Sequence, residues 1–347
     1  MQVKKSKAAI LAESRKPLLV DEITLPDALD VGQVLVKVLY STICGAQLNE
    51  IAAAKGPDKF LPHLLGHEAS ARVLEIGPGV TNVRPDDTVV LHWRPSLGIQ
   101  CGPPAYAWRG GKLNAGWVTT FNEYAVVSEN RMTVIPGNFD MKIAPLFGCA
   151  VTTAAGVISN DAKLKLGESV VVFGVGGVGL NVIQFAELAG ANPIIAVDLI
   201  DEKLEMAKQR GATHVVNPSR LEVVSEIRKI VGDAGPDKVI ETTGVKSVIE
   251  QAYELTHSDG TCVLVGVPRE KVTIYTLPIH FNKTLTGSHG GSARPHIDIP
   301  RIMRLAHAGR VSFEGIITDE YPLDEVNSAL DKMRSGHSGR VLLRIGS

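Results

Sequence analysis

Short apolar runs interrupted by turn residues dominate the first third of the chain. Three of these runs are rich in β-branched residues and are separated by Gly-Pro and Pro-Asp-Asp turns: VGQVLVKVLYSTI, ASARVLEIGPGV and DDTVVLHW. Runs of this length and composition are typical of β-strands, and Gly and Pro mark the turns between them. The pattern therefore predicts a mainly β region.

The pattern changes near residue 150, where strand-like and helix-like segments begin to alternate. From Glu168 the chain reads as the strand SVVVF, a glycine-rich turn, the helix LNVIQFAELAG and the strand PIIAVD, and similar units continue to TCVLVGVP. Strands that alternate with helices of this length predict a parallel sheet covered on both faces. The tail, from MRLAHAGRVSF to GRVLLRI, predicts a helix and two strands that could rejoin the first region.

Composition excludes several classes of function. The chain has 347 residues, which is enough for two domains. Its 36 Lys and Arg residues balance 37 Asp and Glu residues and form no basic stripe, so we expect no nucleic-acid partner. No apolar run approaches the ~20 residues of a membrane span, and the start does not read as a secretory leader. We therefore expect a cytoplasmic protein with no membrane partner.

The four cysteines are dispersed and form no C-x-x-C pair. They are Cys44, Cys101, Cys149 and Cys262. Few, widely spaced cysteines in a long chain indicate reduced thiols rather than a disulfide framework. Any metal site that uses them must be assembled from distant parts of the chain.

A G-x-G-x-x-G motif follows the strand SVVVF and opens the predicted helix. Its residues are Gly174, Val175, Gly176, Gly177, Val178 and Gly179. Such a turn lets a pyrophosphate approach the helix N-terminus closely. Asp198 closes the next strand, 19 residues after Gly179, where a carboxylate would bind the adenosine ribose and repel a 2′-phosphate. The motif predicts a site for NAD rather than NADP, and the alternative is a tight turn with a capping Asp.

Three residues of types that ligate metals lie in separate parts of the chain. They are Cys44 in TICGAQ, His67 in GHE and Cys149 in LFGCAVTTAAG. Taken singly, each such residue is more often structural than a ligand. Their combination and order carry the information.

In this order, with Cys149 about 25 residues before the glycine turn, the sequence resembles the zinc-containing medium-chain alcohol dehydrogenases. The likeness covers nearly the whole chain, including Gly77-Pro78-Gly79-Val80, Val265-Gly266-Val267-Pro268, Ser335-Gly336 and Gly339-Arg340. It implies an α/β fold in which a Rossmann parallel-sheet domain, residues 152–289, is inserted in a mainly antiparallel, GroES-like catalytic domain. That second domain would comprise residues 1–151 and 290–347, with the active site in the cleft between the two.

The resemblance also implies the roles of individual residues. The ligands of one catalytic zinc per chain would be Cys44, His67 and Cys149, with a fourth position open for water or substrate. Glu68 would be a carboxylate close to the metal, and together with the ligands it forms the expected catalytic set. Further contacts to NAD are expected from Thr153, Lys203, Val267 and Arg340, with the arginine at the pyrophosphate. A homodimer or homotetramer is implied as well.

The chain departs from the family pattern near the expected metal. Many relatives hold a second, structural zinc with four cysteines in a lobe where this chain has only Cys101. Typical members have a Ser or Thr at the position of Ala46 and often a His at the position of Asn49, which pass a proton from substrate to solvent. Gln47 replaces an aspartate often found near the metal. The usual proton path is therefore missing, and Glu68, His289, water or a substrate hydroxyl would have to serve instead.

Three functions stay open at this point. The leading one is an NAD-dependent zinc oxidoreductase that converts a primary or secondary alcohol, with a polyol or sugar derivative as one option, to an aldehyde or ketone, or the reverse. The second is a non-redox protein that binds the cofactor without turnover. The third is a lyase or epimerase that uses tightly bound NAD transiently. Trp93 is a candidate pocket wall, and solvated surface is the favoured interpretation for five basic residues: His92, Arg94, Arg109, His289 and Arg294.

Overall fold

The computed structural model describes residues 1–346, which divide into two compact units. The first unit comprises residues 1–149, residues 294–303 and the chain from residue 313 onward, and the second comprises residues 150–293 and 304–312. The second unit is thus an insertion in the sequence of the first.

The first unit is built mainly from β-strands. Its strands are β1 (Lys5–Leu11), β2 (Leu19–Thr24), β3 (Gln33–Thr42), β4 (His63–Leu64), β5 (Ala69–Ile76), β6 (Thr88–Leu91), β7 (Tyr106–Trp108), β8 (Gly111–Leu113), β9 (Tyr124–Ser128), β10 (Met132–Val134), β17 (Ile317–Pro322) and β18 (Arg340–Arg344). Its helices are α1 (Gly45–Ile51) and α8 (Val326–Arg334).

Two sheets organise these strands. One sheet has the order β4-β1-β2-β7-β8, and the other has the order β10-β6-β5-β3-β18-β17, with β9 also paired to β3. All pairs are antiparallel except β17 with β18. The C-terminal strand β18 pairs with β3, so the tail returns to the first region, as the sequence predicted. Apolar residues of β3, β5 and β9 are buried between these elements, together with Phe121 and Leu343.

The second unit contains a six-stranded parallel sheet. Its strands are β11 (Val170–Phe173), β12 (Ile194–Val197), β13 (His214–Val216), β14 (Lys238–Glu241), β15 (Thr261–Leu264) and β16 (Thr284–Gly287), and their order is β13-β12-β11-β14-β15-β16. Its helices are α2 (Ala150–Gly156), α3 (Gly177–Leu188), α4 (Asp201–Gln209), α5 (Val223–Val231) and α6 (Lys246–Leu255). A further helix, α7 (Pro295–His307), begins among first-unit residues and ends among second-unit residues.

The parallel sheet agrees with the predicted strand and helix alternation. All five strand pairs of this sheet are parallel, and β11 and β14 are buried along their length because both faces of a parallel sheet are covered. The predicted fold class, a Rossmann sheet inserted in a mainly antiparallel domain, is confirmed. The tail was only partly predicted: it contains α8 in addition to α7, β17 and β18. No helix within residues 1–346 is both long and apolar enough to cross a membrane.

Candidate metal and cofactor sites

Cys44 lies between the end of β3 and the start of α1. It takes an extended conformation, with φ −106° and ψ 153°, at the N-cap position of the helix. The preceding residue, Ile43, donates a backbone hydrogen bond to Val341 of β18. This hydrogen bond fixes the start of α1 to the sheet, and with it the backbone that carries the Cys44 thiol.

His67 follows a position that only glycine fills without strain. Gly66 has φ +88°, and a Cβ atom there would lie 2.2 Å from the Oγ1 atom of Thr120. This turn joins β4 to β5 and lies directly before His67. The glycine of the GHE sequence is thus needed to bring the histidine to its place.

The structure brings Cys44, His67 and Cys149 together. Cys149 follows a short 3₁₀ turn, Ala144–Gly148, and its thiol is buried. The two sulfurs and a ring nitrogen all lie within 4.8 Å of one another. Donors around one tetrahedral zinc ion lie roughly 3.5 Å apart, as zinc–sulfur and zinc–nitrogen bond lengths require. In the described part of the chain, this is the one group of three or more such residues that could hold a metal ion.

The chemistry of these donors fits zinc. The Nε2 atom of His67 is buried and has no hydrogen-bond partner, which is costly unless something binds it. A hydrogen bond with Cys149, supported by His67 and Arg340 and opposed by burial, holds the pKa of Cys44 well below its usual range. The same contact, together with burial, raises the pKa of Cys149. Without a metal the two sulfurs share one proton, and a bound dication would favour two thiolates.

Gln47 connects two of the three donor residues. Its side chain is buried, and its Oε1 atom accepts a hydrogen bond from the backbone N–H of Cys44 at 2.9 Å. Its Nε2 atom lies 2.5 Å from Nδ1 of His67. An amide thus takes the place beside the imidazole where relatives often have a carboxylate, and it fixes the orientation of the ring.

Glu68 and Arg340 form a buried ion pair beside the donor residues. The Nη2 atom of Arg340 contacts Oε1 of Glu68 and lies 3.4 Å from Oγ1 of Thr42. Burial raises the pKa of Glu68 to about 7, against the opposing effect of Arg340. Glu68 is fully buried, and its Oε2 atom has no partner. The carboxylate lies near the metal site, as expected, but it has no direct route to solvent.

A cavity of about 700 Å³ within the first unit has Gln47 and His67 in its wall. Its polar lining includes Glu50, Asp58, His63, Lys112 and Asn114, and its apolar lining includes Phe60 and Trp117. The pocket beside the histidine ligand is therefore roomy and has carboxylate, imidazole, ammonium and amide groups in its wall.

The glycine-rich turn of the second unit has the two features that a pyrophosphate site needs. No atom of the protein lies within 4 Å of where a Cβ of Gly176 would be, so this side of the turn is open to a ligand. A Cβ at Gly179 would lie 1.9 Å from the carbonyl oxygen of Gly174, so helix α3 packs closely against the turn. Gly177 and Val178 form the first turn of α3, whose free N–H groups favour an anion.

Asp198 is oriented by the same turn. Its Oδ2 atom accepts a hydrogen bond from the N–H of Val175 at 2.7 Å, and its Oδ1 atom accepts one from Ile200 at 3.0 Å. Asp198 therefore braces the turn but caps neither α3 nor α4, whose N-cap residues are Gly176 and Ile200. It stands directly after β12, where a ribose would be bound. Of the other predicted cofactor contacts in this unit, Thr153 is buried on α2, Lys203 is half-buried on α4, and Val267 is exposed after β15.

Two features of the first unit were not predicted. His92 is buried rather than solvated. Its ring nitrogens have partners inside the protein, since they lie 2.8 Å from the carbonyl of Arg94 and 2.9 Å from Oγ1 of Thr133. Burial lowers its pKa to about 4, so it is neutral. The polar pocket residues Glu50, Asp58 and His63 were not recognised, because nothing in ICGAQLNEI or PDKFLPHLLGHE marks them as more than surface and turn residues.

Comparisons with known proteins agree with this geometry. Residues 30–137 match the family described as "Alcohol dehydrogenase GroES-like domain", and residues 177–320 match the one described as "Zinc-binding dehydrogenase". Alcohol dehydrogenase 1 of Trifolium repens is 31% identical, with 99% of this chain and 98% of the relative covered. S-(hydroxymethyl)glutathione dehydrogenase of Paracoccus denitrificans is also 31% identical, with 98% and 99% covered.

Solved structures give the same result. Benzyl alcohol dehydrogenase from Acinetobacter calcoaceticus superimposes with a TM-score of 0.89 at 28% identity, over 99% of this chain and 100% of that chain. For 2R,3R-butanediol dehydrogenase from Bacillus subtilis the TM-score is 0.78 at 29% identity, over 98% and 99%. Because relatives at 31% identity match along almost their full length, this chain belongs to the zinc-containing medium-chain alcohol dehydrogenases, NAD-linked enzymes that interconvert alcohols and carbonyl compounds.

Proposed function

We propose that this NAD-linked zinc alcohol dehydrogenase acts on polyhydroxylated, sugar-like alcohols rather than on short aliphatic ones. The observation that carries the proposal is the polar wall of the pocket next to His67. Glu50, Lys112 and Asn114 bring a carboxylate, an ammonium and an amide to this wall, and an aliphatic chain makes no hydrogen bonds to such groups. Trp117 offers a flat apolar surface. Burying polar groups without partners is costly, so this lining favours a ligand with several hydroxyls.

The missing relay supports the same substrate class. Ala46 and Asn49 cannot accept a proton, and Glu68 is fully buried against Arg340. A neighbouring hydroxyl on the substrate could pass the proton outward, and an aliphatic alcohol has none. One structural relative, at 29% identity, is named as a dehydrogenase of 2R,3R-butanediol, a diol with adjacent hydroxyls.

The residues of this chain have separable roles in the reaction. Cys44, His67 and Cys149 would hold zinc, which supplies a Lewis acid for the reacting oxygen. Gln47 orients His67, and the Glu68–Arg340 pair balances charge around the donors. NAD, bound at the glycine turn, supplies the hydride acceptor.

A substrate screen tests the proposal. With NAD⁺ and the zinc-loaded protein, we expect a higher kcat/KM for polyols such as sorbitol or myo-inositol than for ethanol or 1-butanol. Ala46→Thr should raise the rate on ethanol, because general-base assistance is typically worth ~10²–10⁴ in rate and a hydroxyl begins to restore it. NADH absorbance is the measurement. Efficient ethanol turnover by the unmodified enzyme would show that the missing hydroxyl never limits the reaction and would refute the proposal.

Asp198 should set the preference for NAD over NADP. Its carboxylate would accept hydrogen bonds from the ribose hydroxyls, and it would repel a 2′-phosphate. We expect Asp198→Ala to weaken NADH binding by ~1.5–3 kcal/mol, the scale of hydrogen bonds to charged groups, and to narrow the difference between NADH and NADPH.

Because Asp198 also accepts the N–H of Val175, Asp198→Asn is the matched control. It retains an acceptor for the turn but removes the charge, so it should relieve the repulsion of NADPH with a smaller loss of NADH affinity. Fluorescence titration gives both affinities. Equal affinity of the unmodified protein for the two cofactors would contradict the assignment.

We further propose a cytoplasmic homodimer or homotetramer. Among residues 1–346 no disulfide joins the four cysteines, which suits a reducing compartment.

In the second unit, β16 is an edge strand of the parallel sheet, and the segment before it exposes Tyr275, Leu277, Ile279 and Phe281, the last with 66% of its surface. An unpaired edge beside exposed apolar residues suits contact with a second copy. A monomeric mass by light scattering would rule out the assembly.

A further inference from the structure

We propose that Glu50 accepts the proton of the substrate hydroxyl, with His63 and Asp58 as its supporting groups. This proposal rests on the proposed function, because it concerns the pocket in which that substrate would bind. It replaces the relay that Ala46 and Asn49 cannot provide. Glu50 lies on α1, Asp58 lies in the segment before β4, and His63 is the first residue of β4.

The position of Glu50 suits a proton acceptor. It lies three residues after Gln47 on α1, so the two side chains are neighbours on one face of the helix. Both line the cavity that His67 also lines. The side chain of Glu50 is 45% exposed, so a proton that it receives can pass on to solvent. Gln47 and His67 therefore line the same cavity as a carboxylate that has access to water.

His63 and Asp58 form a tight pair beside Glu50. The Nδ1 atom of His63 lies 2.9 Å from the carbonyl oxygen of Leu64, and its Nε2 atom lies 2.9 Å from Oδ2 of Asp58. Both partners are oxygen atoms that can accept a hydrogen bond, so the ring is held at both nitrogens. Hydrogen bonds from Phe60 and His63 lower the pKa of Asp58, although burial acts to raise it.

The Oε1 atom of Glu50 lies 4.0 Å from Nε2 of His63, so this pair forms part of the surroundings of the carboxylate. Burial raises the pKa of Glu50, while His63, His67 and Lys55 act to lower it and Asp58 adds to the rise. Lys112 lines the same cavity. A carboxyl whose pKa is raised toward neutrality is a better acid and base at physiological pH than an ordinary one.

The proposed step balances in atoms and charge. The O–H bond of the substrate breaks, and its proton passes through a neighbouring hydroxyl of the same substrate to the Glu50 carboxylate. The C–H bond of the same carbon breaks, its hydrogen passes with the electron pair to NAD⁺, and the C=O bond forms. Glu50 then releases the proton to solvent. In the reverse direction, the protonated Glu50 carboxyl supplies the proton to the new hydroxyl.

Glu50→Gln in the zinc-loaded enzyme is the first test, because it keeps the size of the side chain and removes the base. We expect kcat for oxidation of the alcohol that the screen ranks first to fall ~10²-fold or more, with a much smaller change in KM. The unmodified enzyme should gain activity as the pH rises through the raised pKa of Glu50, and the variant should lose that dependence. Zinc content and NADH affinity should not change.

Two further variants separate the relay from simple structural effects. Asp58→Asn leaves Glu50 in place but alters the charge of its neighbours, so it should shift the pH profile rather than abolish activity. Glu13→Gln removes an exposed carboxylate elsewhere in the first unit and should behave as the unmodified enzyme. A Glu50→Gln enzyme with unchanged kcat and pH profile, or one with a change in KM alone, would overturn the proposal.

Infrared difference spectra decide the assignment without turnover. On lowering the pH through the raised pKa of Glu50, the unmodified holoenzyme should gain a carboxylic-acid carbonyl band that Glu50→Gln lacks and Glu13→Gln retains. If no alcohol is oxidised by the unmodified protein, the proposed function fails, and the infrared band still reports on Glu50. Identical spectra for the unmodified protein and Glu50→Gln overturn the inference whatever the screen finds.

Discussion

Replacing Cys149 with alanine is expected to remove zinc from the protein and to abolish most of its alcohol oxidation. Cys149 is one of three donors that lie within 4.8 Å of one another, and no other group of this kind exists in residues 1–346. The site therefore has no spare ligand. Zinc content should fall from about one equivalent per chain to a small fraction of that. Loss of several kcal/mol of charge stabilisation corresponds to a rate reduction of roughly 10³-fold or more.

Metal analysis of protein purified without added zinc is the measurement, made beside the rate of NADH formation. Cys262→Ala is the matched control, because Cys262 is also fully buried but lies in the second unit, in β15. Its removal should cost some stability and leave zinc in place. Full zinc content in the Cys149→Ala variant would exclude Cys149 as a ligand. Two tightly held zinc ions in the unmodified protein would reveal a second site that the single donor group does not provide.

The sequence predicted the parallel sheet and its glycine turn well, because both depend on local pattern. Gly176 and Gly179 have different surroundings, one open and one tightly packed, and the order strand, turn and helix fixes both. The zinc donors, in contrast, depend on tertiary structure and not on a local pattern. Cys44 and Cys149 are separated by most of the first region, so only the antiparallel pairing of that region brings them together. The family resemblance, and not their spacing, identified them.

The residues that the sequence could not identify are polar groups whose surroundings are created by folding. His92 is neutral because burial lowers its pKa, and a backbone carbonyl and Thr133 supply partners for its ring nitrogens. Asp58 and His63 become a hydrogen-bonded pair because the fold places the His63 ring between the carbonyl of Leu64 and the carboxylate of Asp58. Residues of these types are common in exposed turns. Only their distances in the folded chain distinguish them, so no pattern in the sequence would have revealed them.

Arg340→Met is expected to cost ~3–5 kcal/mol in the free energy of unfolding, because it leaves a buried carboxylate without its counter-charge. Only 3% of Arg340 is exposed, and Glu68 has no exposed surface. The guanidinium also faces the sulfurs of Cys44 and Cys149, whose charges raise its own pKa against the effect of burial. Removal of the cation therefore leaves several negative or acidic groups close together in a region that water does not reach.

A double-mutant cycle isolates this pair. Glu68→Gln in the Arg340→Met background removes the stranded charge, so the double variant should recover part of the stability that Arg340→Met loses. The matched control is Lys142→Met, which breaks the exposed pair of Lys142 and Glu320 at 2.6 Å and should cost at most ~1 kcal/mol. Urea unfolding without NAD, at equal zinc content, measures every variant of the cycle and excludes any contribution from a contact between Arg340 and the pyrophosphate. If Arg340→Met is as destabilising in the Glu68→Gln background as in the unmodified protein, the two residues are not coupled, and the charge balance inferred for the metal site is wrong.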